Sequence, residues 1–295
     1  MSWPSLVDIV DVTPRDGLQD EPSELSTAEK IALIKGLRQA GIRRVEATSF
    51  VSPKWIPQLR DAEQVLAGLS EPDNLIALIP NRRGFERALM TTVAEVGFVV
   101  SASPKHQHDN LNMTLSESLH QFRTIAELPN TRGLRLRGAI SCAFGSPFTN
   151  ERIDPAEVAT IARSLVQYGA CEVSLADTVG IGTPNFVTDV IKAVQDAIPD
   201  TPLAIHLHDR FGIGLGNVTA ALLCGVNTFE SALGGLGGCP YAPDAPGNLN
   251  TETLVGWLHH MGITTGIDLI ALSEVRRTLL NQLAVNAHTK KGDTA

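Results

Sequence analysis

Two histidines separated by one residue, His206 and His208, are the sharpest chemical feature of the sequence. The run Leu203–Leu207 around the first of them is mostly apolar and predicts a β-strand, in which residues i and i+2 lie on the same face. Both imidazoles would then point the same way, as a chelating pair around a divalent metal requires. The alternative is a pair of core histidines that are satisfied by hydrogen bonds, and the spacing alone does not separate the two.

Arg15 and Asp16 form a second candidate group, directly after another predicted strand, Val7–Val12. A hard carboxylate oxygen from Asp16 beside two imidazoles suits Mg²⁺ or Mn²⁺ better than zinc. The guanidinium of Arg15 could neutralise negative charge that develops on a substrate oxygen. A purely structural Arg–Asp ion pair at the end of a strand is the alternative.

The segment Gly234–Tyr241 contains four glycines within five residues and then Cys239. Such a backbone has few steric restrictions and suits close approach, or opening and closing. It does not match the dinucleotide fingerprint G-x-G-x-x-G, so NAD binding is not predicted. The thiol of Cys239 could act as a proton donor or acceptor at a site. The other cysteines are expected to be buried and inert: Cys142, Cys171 and Cys224.

A second H-x-H pair, His106 and His108, lies among polar residues. Its surroundings predict a polar loop rather than a strand. We therefore expect this pair to be solvated, or to contact substrate, and not to bind a metal.

Short β-rich runs alternate with helical stretches along the chain, and these elements must position the groups above. Eight runs are predicted to be strands, and most of them are short and nearly continuously apolar, as expected for parallel strands that helices cover. The predicted strands are Val7–Val12, Arg44–Ser49, Leu75–Ile79, Phe98–Ala102, Leu136–Ser141, Glu172–Ala176, Leu203–Leu207 and Thr228–Ala232. The clearest predicted helices are Thr27–Ala40, Ser116–Leu128, Pro155–Tyr168, Pro184–Ile198 and Gly216–Cys224.

This alternation predicts an α/β fold, a (βα)8 TIM barrel with additional C-terminal helices. No Pro/Ser-rich linker interrupts it, so we expect one domain over residues 1–295, with the barrel at about 5–250 and the helical extension at about 251–288. A TIM barrel has its active site at the carboxyl ends of its strands. The candidate groups all fall there, and polar residues in apolar strands need partners or ligands to offset the cost of burial.

Composition limits the class of function. The chain has 295 residues, 43% of them hydrophobic and 19% charged, which excludes a disordered or fibrous protein. The net charge is −8, with 24 basic and 32 acidic residues and no basic run, so a small molecule is expected as partner and nucleic acid is not. No apolar run approaches the roughly 18 residues of a membrane span, and no membrane partner is expected. Four widely spaced cysteines without a C-x-x-C pair or a secretory leader favour a cytoplasmic location.

Several segments together resemble the 3-hydroxy-3-methylglutaryl-CoA lyases, a family of metal-dependent TIM-barrel enzymes that break carbon–carbon bonds. The resemblance extends from Val7 to about Gly262. It is most specific in Thr13–Gln19 (TPRDGLQ), Val45–Trp55 (VEATSFVSPKW), Ser174–Gly180 (SLADTVG), His206–Asp209 (HLHD), Gly234–Tyr241 (GGLGGCPY) and the pair Gly247-Asn248.

The resemblance implies roles for individual residues. It implies Mg²⁺ or Mn²⁺ as cofactor, with the metal ligands Asp16, His206, His208 and Asn248. Catalytic roles are implied for Arg15, which would stabilise the enolate or carbonyl oxygen, for Cys239 in proton transfer, and for Asp16 and Glu46. Substrate-binding roles are implied for Gln19, Ser49, Arg137, Ser174 and Asp177.

The implied reaction is the retro-Claisen cleavage of 3-hydroxy-3-methylglutaryl-CoA, or a close 3-hydroxyacyl-CoA analogue, to acetyl-CoA and a keto acid such as acetoacetate. An acyl-CoA partner, a homodimer or higher homo-oligomer, and a place in leucine degradation or ketone-body formation follow from the same resemblance. Two rivals stay open: a Claisen-condensing acyltransferase of the isopropylmalate or homocitrate synthase type, and a non-catalytic barrel. The glycine-rich segment with Cys239 favours the lyase.

The chain also departs from the family pattern at four positions. Ala139 follows Arg137-Gly138 where the family usually has an aromatic residue, and Asp109, Arg210 and Ile213 replace residues of other types. Ala139 would enlarge the pocket near the acyl group. These departures predict an acyl-CoA with a different substituent from that of hydroxymethylglutaryl-CoA.

Overall fold

Eight parallel strands close into a barrel in which each strand pairs with the next along the chain and the last pairs with the first. The computed structural model describes residues 3–69, 74–130, 132–238 and 247–292. Within these ranges the strands are β1 (Asp8–Asp11), β2 (Arg44–Ser49), β3 (Leu75–Leu78), β4 (Glu95–Ser101), β5 (Arg135–Ser141), β6 (Ala170–Asp177), β7 (Leu203–Leu207) and β8 (Thr228–Ser231). The predicted TIM barrel is confirmed, and β4, β5 and β6 begin earlier than predicted.

Helices cover the outside of the barrel. Within the described residues they are α1 (Thr27–Gln39), α2 (Ala62–Ala67), α3 (Arg82–Leu89), α4 (Pro104–Leu111), α5 (Leu115–Ala126), α6 (Pro155–Gln167), α7 (Pro184–Ala197), α8 (Gly214–Leu223), α9 (Thr251–His260) and α10 (Leu269–Gly292). The last two form the expected C-terminal extension, and α10 packs on α1. None of the described helices is long and apolar enough to cross a membrane.

Local sequence signals set the ends of these helices. Ser26 begins α1 with a complete capping box, in which its backbone N–H donates to the Glu29 carboxylate at 2.7 Å. Gly41 follows α1 with φ +100°, and a Cβ there would lie 2.3 Å from the carbonyl oxygen of Gly266. Only glycine therefore fits between α1 and the segment that leads to α10.

The inner face of the barrel is unusually rich in charge. Arg44 pairs with Glu95 at 2.9 Å and with Glu172 at 2.8 Å. Arg137 forms a further ion pair with Glu172 at 2.5 Å and another with Glu230. Branched apolar side chains usually fill this space in TIM barrels. Here a buried ionic network, defined as Arg44, Glu95, Arg137, Glu172 and Glu230, fills the interior beneath the carboxyl ends of the strands.

Candidate active site

Asp16, His206 and His208 converge at the mouth of the barrel. Asp16 lies in the helical turn Thr13–Gly17 that follows β1, His206 lies on β7, and His208 comes directly after it. Each offers one ligand atom, and these atoms lie within 4.8 Å of one another. All three side chains are buried. The strand alternation that sends residues i and i+2 to one face therefore places the two imidazoles together, with ring centroids 5.2 Å apart.

Asn248 completes this group from the chain that returns to the barrel after the glycine-rich segment. Its side-chain nitrogen donates to Asp16 Oδ2 at 2.7 Å and to the carbonyl oxygen of Leu236 at 2.8 Å. Its Oδ1 is buried and has no hydrogen-bond partner among the described residues. A buried amide oxygen beside a carboxylate and two imidazoles is a donor set that fits a divalent cation. The four residues can therefore hold a metal.

Arg15 is fixed between two carboxylates at the edge of this cluster. Its guanidinium donates to Glu46 Oε2 at 2.6 Å and to Asp16 Oδ1 at 2.6 Å. Burial alone would raise the pKa of Asp16, but Arg15 and the two histidines outweigh it and lower that pKa. Burial raises the pKa of Glu46, and the Arg15 charge only partly opposes this. Asp16 is thereby held as a carboxylate, the form that binds a metal.

Glu230 is a member of the site that sequence reasoning missed. It lies on β8 beside His206 in the strand register and is 3.0 Å from His206 Nδ1. Ser174 donates to it at 2.5 Å, and Arg137 pairs with it. A lone glutamate within the predicted strand Thr228–Ala232 was the available signal, because burial of an acid requires a partner.

The Glu230–His206 contact determines which nitrogen of the imidazole is available to a metal. Burial would lower the pKa of His206, but the hydrogen bond and charge of Glu230 raise it. Burial would likewise raise the pKa of Glu230, but Arg137 and His206 hold it well below its usual value. An ionised Glu230 keeps a proton on Nδ1 and leaves Nε2 as the nitrogen for a metal.

Three of the predicted substrate-binding residues have local partners at the mouth. Gln19 Nε2 lies 3.4 Å from Asp16 Oδ1. Ser49 donates to the carbonyl oxygen of Leu78 at 3.3 Å, and Ser174 donates to Glu230. Their contact with a substrate stays a prediction.

Two others have partners of a different kind. Asp177 is fully buried and its carboxylate accepts the backbone N–H groups of Ile181 at 3.1 Å and Gly182 at 3.0 Å, which organises the loop after β6. Burial raises the pKa of Asp177 to about 6. Arg137 belongs to the buried ionic network. The structure brings neither into the metal-ligand cluster, defined as the four candidate ligands Asp16, His206, His208 and Asn248. The substrate-binding roles of Asp177 and Arg137 stay predictions.

The expectation for the other H-x-H pair was wrong about the loop and about His106. His106 and His108 lie on helix α4, not in a loop. His106 is buried, and its Nδ1 is 3.1 Å from the hydroxyl of Ser101. Of these two histidines, only His108 is exposed to solvent. The Ser103-Pro104 start of the helix, with Ser103 as N-cap, was the signal for α4.

The cysteine expectation holds only in part. Cys142, Cys171 and Cys224 form no disulfide among the described residues. Cys142 is buried as expected, but Cys171 is exposed, so the expectation of an inert buried thiol is wrong there. Cys239, the predicted catalytic thiol, lies outside the described residues.

The described part of the glycine-rich segment lies close against the returning chain. A Cβ at Gly247 would be 2.0 Å from the carbonyl oxygen of Gly235, and one at Gly237 would be 2.4 Å from Asn248 Nδ2. Gly237 also has φ +100°. The glycines therefore allow two segments of the backbone to lie in close contact beside a candidate metal ligand.

The chain was compared with known proteins. The HMGL-like family model matches residues 6–279. Bovine mitochondrial hydroxymethylglutaryl-CoA lyase is 42% identical over 291 residues, which cover 98% of this chain and 89% of that protein. A Pseudomonas aeruginosa 3-hydroxy-3-isohexenylglutaryl-CoA/hydroxy-methylglutaryl-CoA lyase is 42% identical over 274 residues, covering 92% of this chain and 91% of that one.

Solved structures agree with these relatives. An HMG-CoA lyase from Acinetobacter baumannii, in complex with coenzyme A and 3-methylmalate, superposes with a TM-score of 0.90 at 40% identity. The match covers 96% of this chain and 93% of that one. The barrel, the carboxylate–imidazole cluster and the match over nearly the full length place this chain in the HMGL-like family.

Proposed function

We propose that the protein is a metal-dependent carbon–carbon lyase that cleaves 3-hydroxy-3-methylglutaryl-CoA, or a close 3-hydroxyacyl-CoA analogue, to acetyl-CoA and a keto acid such as acetoacetate. The observation that carries the proposal is the convergence of Asp16, His206 and His208 within 4.8 Å, with the unpartnered Asn248 Oδ1 beside them. Relatives of about 40% identity over most of the chain carry the name of this activity.

Asp16, His206, His208 and Asn248 would hold the metal, and Mg²⁺ or Mn²⁺ is the proposed ion because oxygen and imidazole donors predominate. When bound, a divalent cation lowers the pKa of a substrate hydroxyl and orients it. Among the residues of the chain, Arg15 is the one that we propose acts on the substrate. Its guanidinium lies next to the metal-ligand cluster and pairs with Asp16.

Cleavage breaks the bond between the hydroxyl-bearing carbon and the carbon next to the thioester. The hydroxyl passes its proton to a general base and becomes the carbonyl of the keto acid, while the electron pair of the broken bond passes to the thioester as an enolate. Arg15 is positioned to neutralise the enolate oxygen. A proton then returns to the enolate carbon, and we assign its delivery to Cys239 on the resemblance to the family.

A cleft of about 530 Å³ beside the loops after β4 and β5 is our candidate for part of the CoA chain. It is lined by Lys105, Phe148 and Glu151, among others, and the Lys105 ammonium lies 4.2 Å from the centre of the Phe148 ring. A cation near a flat apolar surface suits a phosphate-bearing nucleotide. Lys54 and residues 106–112 are further candidates. A homo-oligomer and a cytoplasmic location remain part of the proposal.

The test is a mass-resolved product assay with purified protein, with and without Mg²⁺ or Mn²⁺. Release of acetyl-CoA from 3-hydroxy-3-methylglutaryl-CoA only with metal is the expected result. Consumption of acetyl-CoA with a 2-keto acid would support the condensing rival instead, and absence of both reactions would support the non-catalytic barrel.

Cys239→Ser separates proton delivery from metal binding. We expect turnover to fall at least 100-fold, because a serine hydroxyl is a much weaker acid than a thiol. Mn²⁺ affinity, measured by calorimetry, should stay within threefold of the parent protein. Unchanged turnover would remove Cys239 from the mechanism without affecting the metal assignment.

A further inference from the structure

The mouth of the barrel has two chemically different halves. The metal-ligand cluster, Arg15 and Glu46 occupy the half formed by β1, β2, β7 and β8. Across from them, β3 to β6 present apolar side chains to the interior near their carboxyl ends. We call these the apolar wall, defined as Leu78, Val99, Ala139 and Ala176.

The inward direction of the apolar wall follows from its neighbours on each strand. Arg137 reaches Glu230 across the interior, so Ala139, two residues along β5, faces the same way. Ser174 also reaches Glu230, which places Ala176 on the inner face of β6. On β4, a Cβ at Gly97 would meet only Glu46 Oε1, at 3.9 Å, so Val99 faces inward too.

Leu78 completes the apolar wall on β3. Ile76, two residues earlier, belongs to a small interior cluster with Val10, whereas Ile79 belongs to the outer core beneath the helices. Alternation therefore turns Leu78 inward, and it pairs in register with Gly97.

All four wall residues are partly exposed to solvent. Their outward neighbours Val100, Ile140 and Leu175 are completely buried under the helices. Inward side chains that reach solvent must face open space in the mouth. Ala139 and Ala176 carry only a methyl group, and Gly97 carries no side chain. The side chains on this side of the barrel therefore leave the space open.

The open space adjoins the metal-ligand cluster directly. Ala176 pairs in register with His206, and the inner face of Gly97 is next to Glu46. A substrate held through its oxygen atoms by the polar half would therefore present its carbon substituents to the apolar wall. The four wall side chains offer a carboxylate no hydrogen bond, whereas an alkyl group that covers them gains from leaving water.

We infer that the apolar wall receives an apolar substituent larger than methyl on the hydroxyl-bearing carbon of the substrate. The inference rests on the proposed lyase function and makes it more specific. Each methylene group of the substituent that the wall covers should raise kcat/KM by up to about fourfold. Ala139 and Val99 determine how much of the substituent fits.

The experiment compares two thioesters, 3-hydroxy-3-methylglutaryl-CoA and 3-hydroxy-3-pentylglutaryl-CoA, with saturating Mn²⁺. The measured quantity is the ratio of kcat/KM for the pentyl compound to that for the methyl compound. We expect a ratio of at least one for the parent protein. Ala139→Leu should lower the ratio at least tenfold by filling the space, and Val99→Ala should raise it at least twofold.

Ala67→Leu is the matched control, because Ala67 is exposed at the end of α2 that leads away from the mouth. It should leave the ratio unchanged. If Ala139→Leu does not fold, Val99→Ala decides alone. Cleavage of the methyl compound with a parent ratio below 0.01, or an unchanged ratio in both wall variants, would overturn the inference and leave the proposed function standing. Cleavage of neither thioester by the parent protein would overturn both.

Discussion

The carboxylate behind His206 connects the metal-ligand cluster to the buried ionic network. Glu230 binds His206 Nδ1 and also accepts from Ser174 and Arg137, so its position is set by three partners. Acids placed behind metal-binding histidines fix the tautomer and orientation of the ring. The network is therefore a support for the site as well as a filling of the barrel.

Glu230→Gln tests this support. A glutamine keeps the size of the side chain but removes its charge, so we expect Mn²⁺ affinity to weaken by about 10- to 100-fold. The affinity is measured by calorimetry. Glu172→Gln is the control, because Glu172 belongs to the same network and pairs with Arg137, whereas the acid beside His206 Nδ1 is Glu230. An equal loss in both variants would show that the network acts through stability and not through His206.

At the scale of residues, sequence spacing was enough to predict the pairing of His206 with His208 and the proximity of Asp16. It was not enough for Glu230, whose importance depends on the register between β7 and β8. Nor did it place His106, because a histidine among polar neighbours can still be buried on the inner side of a short helix. Register and burial are properties of the assembled fold and not of a local run.

At the scale of elements, Asp11 ties three of them together. It is the last residue of β1 and is fully buried. Its carboxylate accepts from the backbone N–H of Thr13 at 2.9 Å and from the hydroxyl of Thr251, at the start of α9, at 3.0 Å. Thr251 is also 2.9 Å from the hydroxyl of Ser231 on β8. Burial raises the pKa of Asp11 from 3.8 to about 7.

This raised pKa predicts a pH-dependent stability. Between about pH 4 and pH 7 the folded protein keeps a proton on Asp11 that the unfolded chain has lost, so the free energy of unfolding falls as pH rises through this window. Asp11→Asn should remove this fall. Relative to the parent protein, the variant should gain up to about 4 kcal/mol between pH 4 and pH 8.

Urea denaturation at pH 4, 5, 6, 7 and 8 measures the difference. Asp200→Asn, at an exposed position after α7, is the control and should leave the pH dependence unchanged. A constant difference between Asp11→Asn and the parent protein over the whole range would contradict a raised pKa.

Most elements could be predicted from the sequence because their signals are local. The Ser26–Glu29 capping box and Gly41 fixed the two ends of α1 to within one residue. Helices α2 and α4 are short, with six and eight residues, and their patterns are too brief for periodicity to separate them from loops. The register shift between Glu46 and Thr48 depends on how β2 pairs with β3, which no local run of residues reveals.

For the whole molecule, a metal that binds only the folded state must raise the melting temperature. At 100 times its dissociation constant, Mn²⁺ should add about 2.7 kcal/mol to the free energy of unfolding. This corresponds to a rise of roughly 4 °C in Tm, because the entropy of unfolding of a 295-residue chain is about 0.6 kcal/mol/K. EDTA should reverse it, as measured by scanning calorimetry.

His206→Ala removes one proposed ligand and should abolish both the Mn²⁺-dependent rise in Tm and turnover. His120→Ala, at an exposed histidine of α5, should retain both. A full metal-dependent rise in the His206→Ala protein would place the metal elsewhere.

The overall charge of the molecule bears on how an anionic substrate is attracted to the site. With a net charge of −8, the molecule as a whole repels a multiply anionic acyl-CoA. Attraction must therefore be local, from the metal, Arg15 and Arg210, whose guanidinium is fixed at the rim by a 3.1 Å hydrogen bond to the carbonyl oxygen of Val179.

The close contact between Gly235 and Gly247 has a consequence for protein engineering. The chain leaves the barrel and re-enters it at nearly one point, where Leu236 and Asn248 are joined by a 2.8 Å hydrogen bond. The described segments on either side of residues 239–246 therefore meet as a closed stem, and a replacement of different length would have no gap to bridge. Segments from related lyases could be exchanged there as cassettes, with the barrel and its ligands kept constant, to assign proton delivery and metal binding to separate parts of the gene.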